Sequence, residues 1–182
     1  SVRPNPKINI SKKEILIAKK KLKIKSNEKN ILLGIGGSGA TKRVPAKKYI
    51  EFIKLVASKH KSRFFLATGK NPEEQKILNQ IMKIRFKGSC KRLDNLSIKK
   101  ILPIICNCDI SVCNDSSFSH LSAALGIKTI VLMTDTPLMY GNYSKYMHAI
   151  IPDGEKTVKH NTQGKNKINS QKIFNKYKKL IN

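Results

Sequence analysis

Short, continuous apolar runs alternate along the chain with longer segments in which apolar residues recur every three or four positions. The continuous runs lie at residues 31–35, 64–67, 110–113 and 129–133, and a weaker run lies at 149–151. Their length and their aliphatic content predict short, buried strands.

The segments between these runs show a helical period. After Pro45, one face of a predicted helix is formed by Tyr49, Phe52, Ile53 and Val56. Further helices are predicted from residue 71, across 97–107, across 117–125 and from residue 170. Because strands alternate with helices at this spacing, we expect a Rossmann-like α/β fold, with a mostly parallel sheet and helices on both faces.

The chain divides into three segments on this pattern. Residues 1–29 form a leader, in which Ser11 and Glu14 have the spacing of a capping box at a helix start. Residues 30–152 carry the alternation of strands and helices, and residues 153–182 combine a Lys-rich loop with a final helix. No apolar run reaches the roughly 18 residues of a membrane span, and no signal-peptide pattern is present. We therefore expect a cytoplasmic protein.

The charge of the chain is its most unusual property. Lys and Arg number 37 against 11 Asp and Glu, which gives a formal net charge of +26. One interpretation is a polyanionic partner, and the other is compositional drift, because AT-rich codons encode the over-used Lys, Asn and Ile. Aromatic residues make up only 6% and Trp is absent, so we expect no nucleic-acid partner. Weak attraction to an anionic membrane surface follows from the charge under either interpretation.

The four cysteines are spaced unlike the ligands of a zinc site. They lie at Cys90, Cys106, Cys108 and Cys113, which gives one Cys-x-Cys pair and no Cys-x-x-Cys knuckle. We expect free structural thiols in a reducing compartment, and no bound metal.

Candidate chemistry lies where predicted strands end, since open parallel sheets bind ligands at the carboxyl ends of their strands. After the first strand, residues 34–45 read Gly-Ile-Gly-Gly-Ser-Gly-Ala-Thr-Lys-Arg-Val-Pro. Glycines let the backbone approach a phosphate, Lys42 adds a positive charge, and Ser38 and Thr41 add hydroxyl groups. The segment is neither a P-loop nor a dinucleotide fingerprint. The alternative is a flexible turn with no ligand.

The second predicted strand is followed at residues 68–74 by Thr-Gly-Lys-Asn-Pro-Glu-Glu. Glu73 or Glu74 could accept hydrogen bonds from ribose hydroxyls. Alternatively, Asn71 and Glu74 cap the next helix, where acidic residues in the first turn favour the helix dipole.

A third strand end, at residues 113–126, reads Cys-Asn-Asp-Ser-Ser-Phe-Ser-His-Leu-Ser-Ala-Ala-Leu-Gly. The hydroxyl groups of Ser116 and Ser117 and the free N–H groups of a helix start suit a phosphate, with Asp115 before them and His120 in the first turn. The alternative is a plain N-cap at Asp115 or Ser116 with His120 on the surface.

At these turns the chain resembles the ADP-heptose:lipopolysaccharide heptosyltransferases, which form glycosyltransferase family 9. That family has a Gly/Ser/Thr-rich loop followed by Lys-Arg/His-Trp-Pro, and residues 38–45 read Ser-Gly-Ala-Thr-Lys-Arg-Val-Pro. It later has Asp-Ser/Thr-Gly-x-x-His-x-Ala-Ala-Ala-Leu-Gly, and residues 115–126 keep this order of acid, hydroxyl, His and small residues. The likeness spans about residues 8–152, with departures at Val44, where the family has Trp, and Ser117, where it has Gly.

The resemblance implies the carboxyl-terminal, donor-binding half of a GT-B glycosyltransferase that is inverting, independent of metal and without a cofactor. Ser38 and Lys42, with Thr41 beside them, would hold the pyrophosphate of the donor. Either Glu73 or Glu74 would hold its ribose. The diphosphate and the sugar would be lined by Asp115, Ser116, Ser117 and His120.

In the family, the amino-terminal half binds the acceptor and carries an Asp general base. No residue of this chain is assigned that role, so the catalytic base is expected in another domain or chain.

Three hypotheses follow for the function. The first is transfer of heptose or a related sugar from an ADP sugar to a lipopolysaccharide-core or similar glycolipid acceptor. This chain would supply the donor site at the cytoplasmic side of the membrane, and an amino-terminal domain or a second chain would supply the acceptor site. The second hypothesis is a truncated module that binds a nucleotide sugar without turnover. The third is a basic nucleic-acid-binding protein.

Overall fold

The computed structural model describes residues 5–181, which fold into an α/β unit with helices on both faces of one sheet. The strands are β1 Lys29–Gly34, β2 Ser62–Ala67, β3 Gly88–Arg92, β4 Ile110–Asn114, β5 Thr129–Leu132 and β6 Met147–Ile150. The α-helices are α1 Lys12–Lys21, α2 Ala46–Ala57, α3 Pro72–Met82, α4 Ile98–Ile105, α5 Ser117–Ala124 and α6 Ser170–Ile181. The predicted α/β fold is confirmed.

The sheet of the described residues has the order β3-β2-β1-β4-β5-β6, and every neighbouring pair is parallel. The first strand, β1, therefore lies near the centre of the sheet. The chain continues outward through β2 and β3 and then returns to β4 on the other side of β1. This reversal makes the carboxyl ends of β1 and β4 a topological switch point, where open α/β sheets bind ligands. The strand β3 and the loop that follows it were not predicted from the sequence.

Alternate residues of the central strands face two separate cores. Ile31 and Leu33 of β1 pack with α2, α3 and α6, whereas Leu32 packs with α1 and α4. This alternation requires apolar residues on both faces of β1, and it explains why the strand reads as an unbroken aliphatic run.

Both terminal segments pack on this unit. Tyr177 of α6 is fully buried, and its ring lies edge-on to Phe52 of α2 with 5.8 Å between centroids. At the other end, Ser11 and Glu14 form the predicted capping box, and the side chain of Asn107 donates to the carbonyl of Ile15 at 3.0 Å. The domain boundaries at residues 29 and 153 remain a prediction, because the leader and the final helix share cores with the central segment.

Each of the four cysteines is a free thiol, and Cys108 and Cys113 are buried. Burial raises the pKa of the Cys90 and Cys113 thiols to about 12. Across residues 5–181, each helix is too short or too polar to cross a bilayer.

Candidate functional site

A cleft of about 480 Å³ opens at the carboxyl ends of the first four strands in the sheet. The turns after β1, β2 and β4, the first turn of α3 and the loop between β3 and α4 supply its polar residues, whereas that loop, α4 and α5 supply its apolar wall. The polar residues are Gly36, Gly37, Ser38, Thr68, Gly69, Glu74, Asp94, Ser116 and Ser117. The apolar wall consists of Leu96, Ile98, Ile101 and Phe118.

The Gly-rich segment makes a longer connection than a tight strand-to-helix turn. After β1 ends at Gly34, a single 3₁₀ turn spans Ala40–Lys42, and α2 begins only at Ala46. A Cβ atom on Gly34 would lie 2.6 Å from the Sγ atom of Cys113, so only glycine fits between β1 and β4. This close approach of β1 and β4 brings the turn after β1 next to the turn after β4.

Asn114, the last residue of β4, ties the Gly-rich segment to the sheet. Its amide nitrogen donates to the carbonyls of Ile35 and Gly36 at 2.9 and 3.2 Å, and its oxygen accepts from the Tyr49 hydroxyl at 2.7 Å. The side chain is fully buried. Asn114 was not predicted from the sequence, although a polar residue that ends a buried apolar run is a visible signal.

Asp115 is the point at which the first and third turns meet. The ammonium of Lys42 lies 3.0 Å from its Oδ2 atom, and Nε2 of His120 lies 3.8 Å from its Oδ1 atom. The hydroxyl of Thr136, after β5, donates to the same carboxylate at 2.5 Å. Only 5% of Asp115 is exposed, so its charge is held by neighbouring donors rather than by water.

His120 is fixed on its other side by an aromatic residue that the sequence analysis missed. Its Nδ1 atom lies 2.9 Å from the hydroxyl oxygen of Tyr143, and the two rings stack with 5.7 Å between centroids. Tyr143 follows a 3₁₀ turn at Leu138–Gly141, between β5 and β6. No periodic pattern marks this residue, because it lies in a loop.

The two candidate ribose-binding glutamates differ in their surroundings. Glu74 is buried, and its carboxylate accepts hydrogen bonds from the Gly37 amide at 2.9 Å, the Gly69 amide at 2.8 Å and the Thr68 hydroxyl at 3.1 Å. Glu73 is exposed at the same end of α3. Of the predicted capping pair, Asn71 caps α3, and its side chain accepts from the Glu73 amide at 2.9 Å, whereas Glu74 bonds to the two preceding turns instead of the helix end. Glu74 therefore joins the turns after β1 and β2.

The remaining predicted residues lie around the same opening. Ser38 and Ser117 are exposed at the cleft, and Ser116 is the N-cap residue of α5. The carbonyl of Thr41 accepts from the Thr134 hydroxyl at 2.8 Å, which ties the 3₁₀ turn to the end of β5. The structure thus brings all the predicted site residues to one edge of the sheet, and their roles in ligand binding remain predictions. The two residues that depart from the family motifs have different environments: Val44 is buried in the core, and Ser117 faces the cleft.

A parallel sheet with a polar cleft at the carboxyl ends of its strands defines a Rossmann-like α/β protein. The family model described as glycosyltransferase family 9 (heptosyltransferase) matches residues 2–173. The chain therefore belongs to glycosyltransferase family 9, as the motifs around Lys42 and His120 predicted.

Curated relatives are heptosyltransferases. Lipooligosaccharide heptosyltransferase 2 of Campylobacter jejuni subsp. jejuni serotype O:2 is 30% identical over 171 residues, covering 85% of this chain and 52% of the relative. Lipopolysaccharide heptosyltransferase 1 of Campylobacter coli is 24% identical over 139 residues, covering 75% of this chain and 40% of the relative. The chain thus spans about two fifths to one half of the length of these relatives.

Solved heptosyltransferase structures share the fold. E. coli ADP-heptose lps heptosyltransferase II matches with a TM-score of 0.75 at 18% identity, over 98% of this chain and 55% of that one. The structure of E. coli heptosyltransferase WaaC with ADP matches with a TM-score of 0.67 at 17% identity, over 90% of this chain and 48% of that one. The fold of this chain therefore matches about one half of these structures.

Proposed function

We propose that this chain is the donor-binding half of a glycosyltransferase that moves heptose or a related sugar from an ADP sugar to a lipopolysaccharide-core or similar glycolipid. The observation that carries the proposal is the convergence of Lys42 and His120 on Asp115, beside a cleft at the carboxyl ends of the strands. The names of the relatives, and the ADP in the WaaC structure, support the choice of donor.

The proposed diphosphate site combines three kinds of positive potential. Lys42 supplies a full charge, the amino end of α5 supplies helix-start N–H groups and the exposed Ser117 hydroxyl, and His120 supplies a ring N–H. Ser38 and Thr41, on the segment before Lys42, add hydroxyl donors at the rim. Asp115 orients the Lys42 ammonium, so that the ligand meets a cation already in place.

The nucleoside is proposed to occupy the cleft itself. About 480 Å³ lies within the range of roughly 300 to 1,000 Å³ typical of small-molecule sites. The apolar wall of Leu96, Ile98 and Ile101 suits the face of a base. Glu74 lines the cleft but already accepts three protein hydrogen bonds, so we assign the ribose hydroxyls to the exposed Glu73, which lies beside the cleft rather than in its lining.

In the proposed reaction, the bond between the anomeric carbon and the diphosphate oxygen breaks as an acceptor hydroxyl attacks from the opposite face, with inversion. The leaving diphosphate gains negative charge, which Lys42 and the amino end of α5 are placed to stabilise without a metal. The acceptor hydroxyl loses its proton to a base that we place in the acceptor-binding half, which this chain does not supply.

Calorimetry with ADP and with an ADP sugar tests the donor site. Lys42→Ala removes a charge-assisted interaction worth about 1.5 to 3 kcal/mol, so ADP affinity is expected to fall roughly 10- to 100-fold. It also removes the ammonium group that offsets the charge of Asp115 beside the phosphates, so adding Asp115→Asn should restore part of that loss. Lys47→Ala on the exposed surface of α2 is the matched control and should change little. Equal ADP affinity in the Lys42 and Lys47 variants would contradict the proposed site.

Turnover requires the acceptor-binding half, so it is tested by joining this chain to that half and assaying sugar transfer to a truncated lipopolysaccharide. Transfer that is lost with Lys42→Ala supports the enzymatic proposal. ADP binding without transfer, in a protein that contains both halves, would instead favour a non-catalytic nucleotide-sugar-binding module.

We further propose that the chain acts in the cytoplasm and associates weakly with anionic membranes, where the glycolipid acceptor lies. The net charge of +26 supports this, as does α1, on which Leu16 and Ile17 are 55% and 54% exposed among lysines. Co-sedimentation with anionic vesicles is expected at low salt and should be lost near 1 M salt, where the Debye length falls to about 3 Å. Retention by neutral vesicles, or binding that salt leaves unchanged, would contradict the electrostatic basis.

A further inference from the structure

Tyr143 holds His120 through two contacts at once. The hydroxyl oxygen lies 2.9 Å from Nδ1 of His120, and the rings are nearly parallel, with 13° between their planes. The opposite ring nitrogen, Nε2, points toward Asp115 at 3.8 Å. The imidazole therefore lies between a neutral hydroxyl at Nδ1 and an anionic carboxylate near Nε2. The carboxylate favours a proton on Nε2, whereas the hydroxyl can either donate to Nδ1 or accept from it.

The segment that carries Tyr143 is itself anchored. A Cβ atom on Gly141 would collide with the side chain of Met133, so the 3₁₀ turn before Tyr143 packs closely on the end of β5. On the other side, the hydroxyl of the buried Ser144 accepts from the Tyr146 amide at 3.3 Å. Tyr143 is thus presented to His120 from a fixed backbone.

The charge around the ring selects one tautomer. If Nδ1 carried the proton, the lone pair of Nε2 would face the carboxylate of Asp115, which is repulsive. If Nε2 carries it, the N–H faces the carboxylate, and the lone pair of Nδ1 accepts the proton of the Tyr143 hydroxyl. A tyrosine hydroxyl, with an ordinary pKa near 10, keeps its proton at neutral pH, and partial burial raises the pKa of Tyr143 further.

We propose that Tyr143 is a positioning residue: its hydroxyl donates to Nδ1 of His120 and fixes the tautomer whose Nε2–H faces Asp115 and the donor diphosphate. The ligand in this inference rests on the proposed function, whereas the tautomer is a property of the free chain. The effect of Tyr143 on binding therefore passes through His120 alone.

The tautomer is tested first, by ¹⁵N NMR of the histidine ring in the free chain. The resonances are expected to show a protonated Nε2 and an unprotonated, hydrogen-bonded Nδ1 in neutral His120. In Tyr143→Phe, which keeps the stacked ring, the Nδ1 resonance should move and the second tautomer should become populated. Tyr140→Phe is the matched control, because Tyr140 is 48% exposed on the same loop and should leave the His120 spectrum unchanged.

Binding is tested next, by calorimetry with ADP in a double-mutant cycle. A net hydrogen-bond contribution near 0.5 to 1.5 kcal/mol converts to a loss of about two- to tenfold for Tyr143→Phe. In a His120→Gln background, whose amide N–H cannot change tautomer, the same substitution should cost less than about twofold.

The outcomes separate this inference from the proposed function. An unchanged His120 spectrum in Tyr143→Phe would overturn the inference, whether or not ADP binds. An equal loss of affinity in both backgrounds would also overturn it, because Tyr143 would then act independently of His120. If the unmodified chain shows the expected His120 spectrum but does not bind ADP, the proposed function fails while the assignment of the tautomer is supported.

Discussion

Glu74 offers the sharpest test of how the site is held together, because its one buried carboxylate accepts hydrogen bonds from both the turn after β1 and the turn after β2. It accepts from the Gly37 amide, the Gly69 amide and the Thr68 hydroxyl at 2.9, 2.8 and 3.1 Å. Only 7% of the residue is exposed, so water does not readily replace it. Glu74→Gln keeps the shape of the side chain and changes one acceptor oxygen into a donor.

The magnitude follows from the geometry. The Gly37 amide bonds to Oε1 and the Gly69 amide to Oε2, so either orientation of a glutamine amide opposes one backbone N–H. The Thr68 hydroxyl can rotate to accept, but a backbone amide cannot. One orphaned N–H costs about 1 to 3 kcal/mol, and we expect Glu74→Gln to lower the free energy of unfolding by that amount.

Urea unfolding measures the change, with Glu73→Gln as the matched control. Glu73 is exposed one residue earlier, so its variant should stay within about 0.5 kcal/mol of the unmodified chain. The midpoint should fall while the slope with urea stays constant. Amide hydrogen exchange at Gly37 and Gly69 should accelerate in the Glu74 variant. Equal midpoints for the Glu74 and Glu73 variants, with unchanged exchange, would refute the assigned hydrogen bonds.

Three further predictions concern the frame of the site. Gly34→Ala places a Cβ atom 2.6 Å from Cys113 Sγ between two packed strands, so urea unfolding should show a loss of about 1 to 3 kcal/mol. Asn114→Leu removes the partner of two carbonyls and leaves the Tyr49 hydroxyl only its 3.5 Å contact with the Gly34 carbonyl, so its loss in the same assay should exceed about 2 kcal/mol. Stability should fall as pH rises from about 9 toward 12, because burial raises the pKa of the partly buried Cys90 and the buried Cys113 thiols to about 12, whereas the unfolded chain releases their protons near pH 9. Replacing Cys113 with Ala should flatten that alkaline decline, measured by urea midpoints across the range.

The central strands could be predicted from the sequence because both faces of each are buried. Strand β3 could not, since its five residues, Gly-Ser-Cys-Lys-Arg, contain a single apolar side chain. It lies at the edge of the sheet and pairs only with β2, so burial does not require an apolar run there. Charged residues also suit an exposed edge, because they discourage pairing with another chain. Because β3 was not predicted, the positions of Asp94 and Leu96, which line the cleft from the loop after β3, were not predicted either.

The two glutamates show a signal that was present in the sequence and was not used. Residues 74, 78 and 81 are spaced by four and three, so Glu74 lies on the same helical face as the buried Leu78 and Ile81. Glu73 is one residue away, about 100° around the helix, and faces solvent. The helical period therefore distinguishes a carboxylate that points into the fold from one that is free to meet a ligand.

Local sequence patterns could not predict Tyr143 and Thr136, the partners of His120 and Asp115. Tyr143 contacts a residue 23 positions earlier, and Thr136 contacts one 21 positions earlier. Each is a single side chain in a loop, where neither a period of two nor a period of 3.6 applies. Only the pairing of β4 with β5, and the packing of the loop after β5, brings them to the site.

Three buried polar side chains fix the ligand-facing turns before any ligand binds. Asn114 ties the Gly-rich segment to β4, Glu74 ties it to the turn after β2, and Asp115 holds Lys42. Burying a polar group costs free energy unless all of its hydrogen bonds are made. Apolar residues would therefore stabilise the core at these positions with less risk than polar ones. The placement of these polar side chains at the strand ends instead reduces the ordering cost that a flexible Gly-rich loop would add to binding. Asn114 is fully buried and does not line the cleft, so Asn114→Leu should weaken ADP binding through the turns that Asn114 fixes.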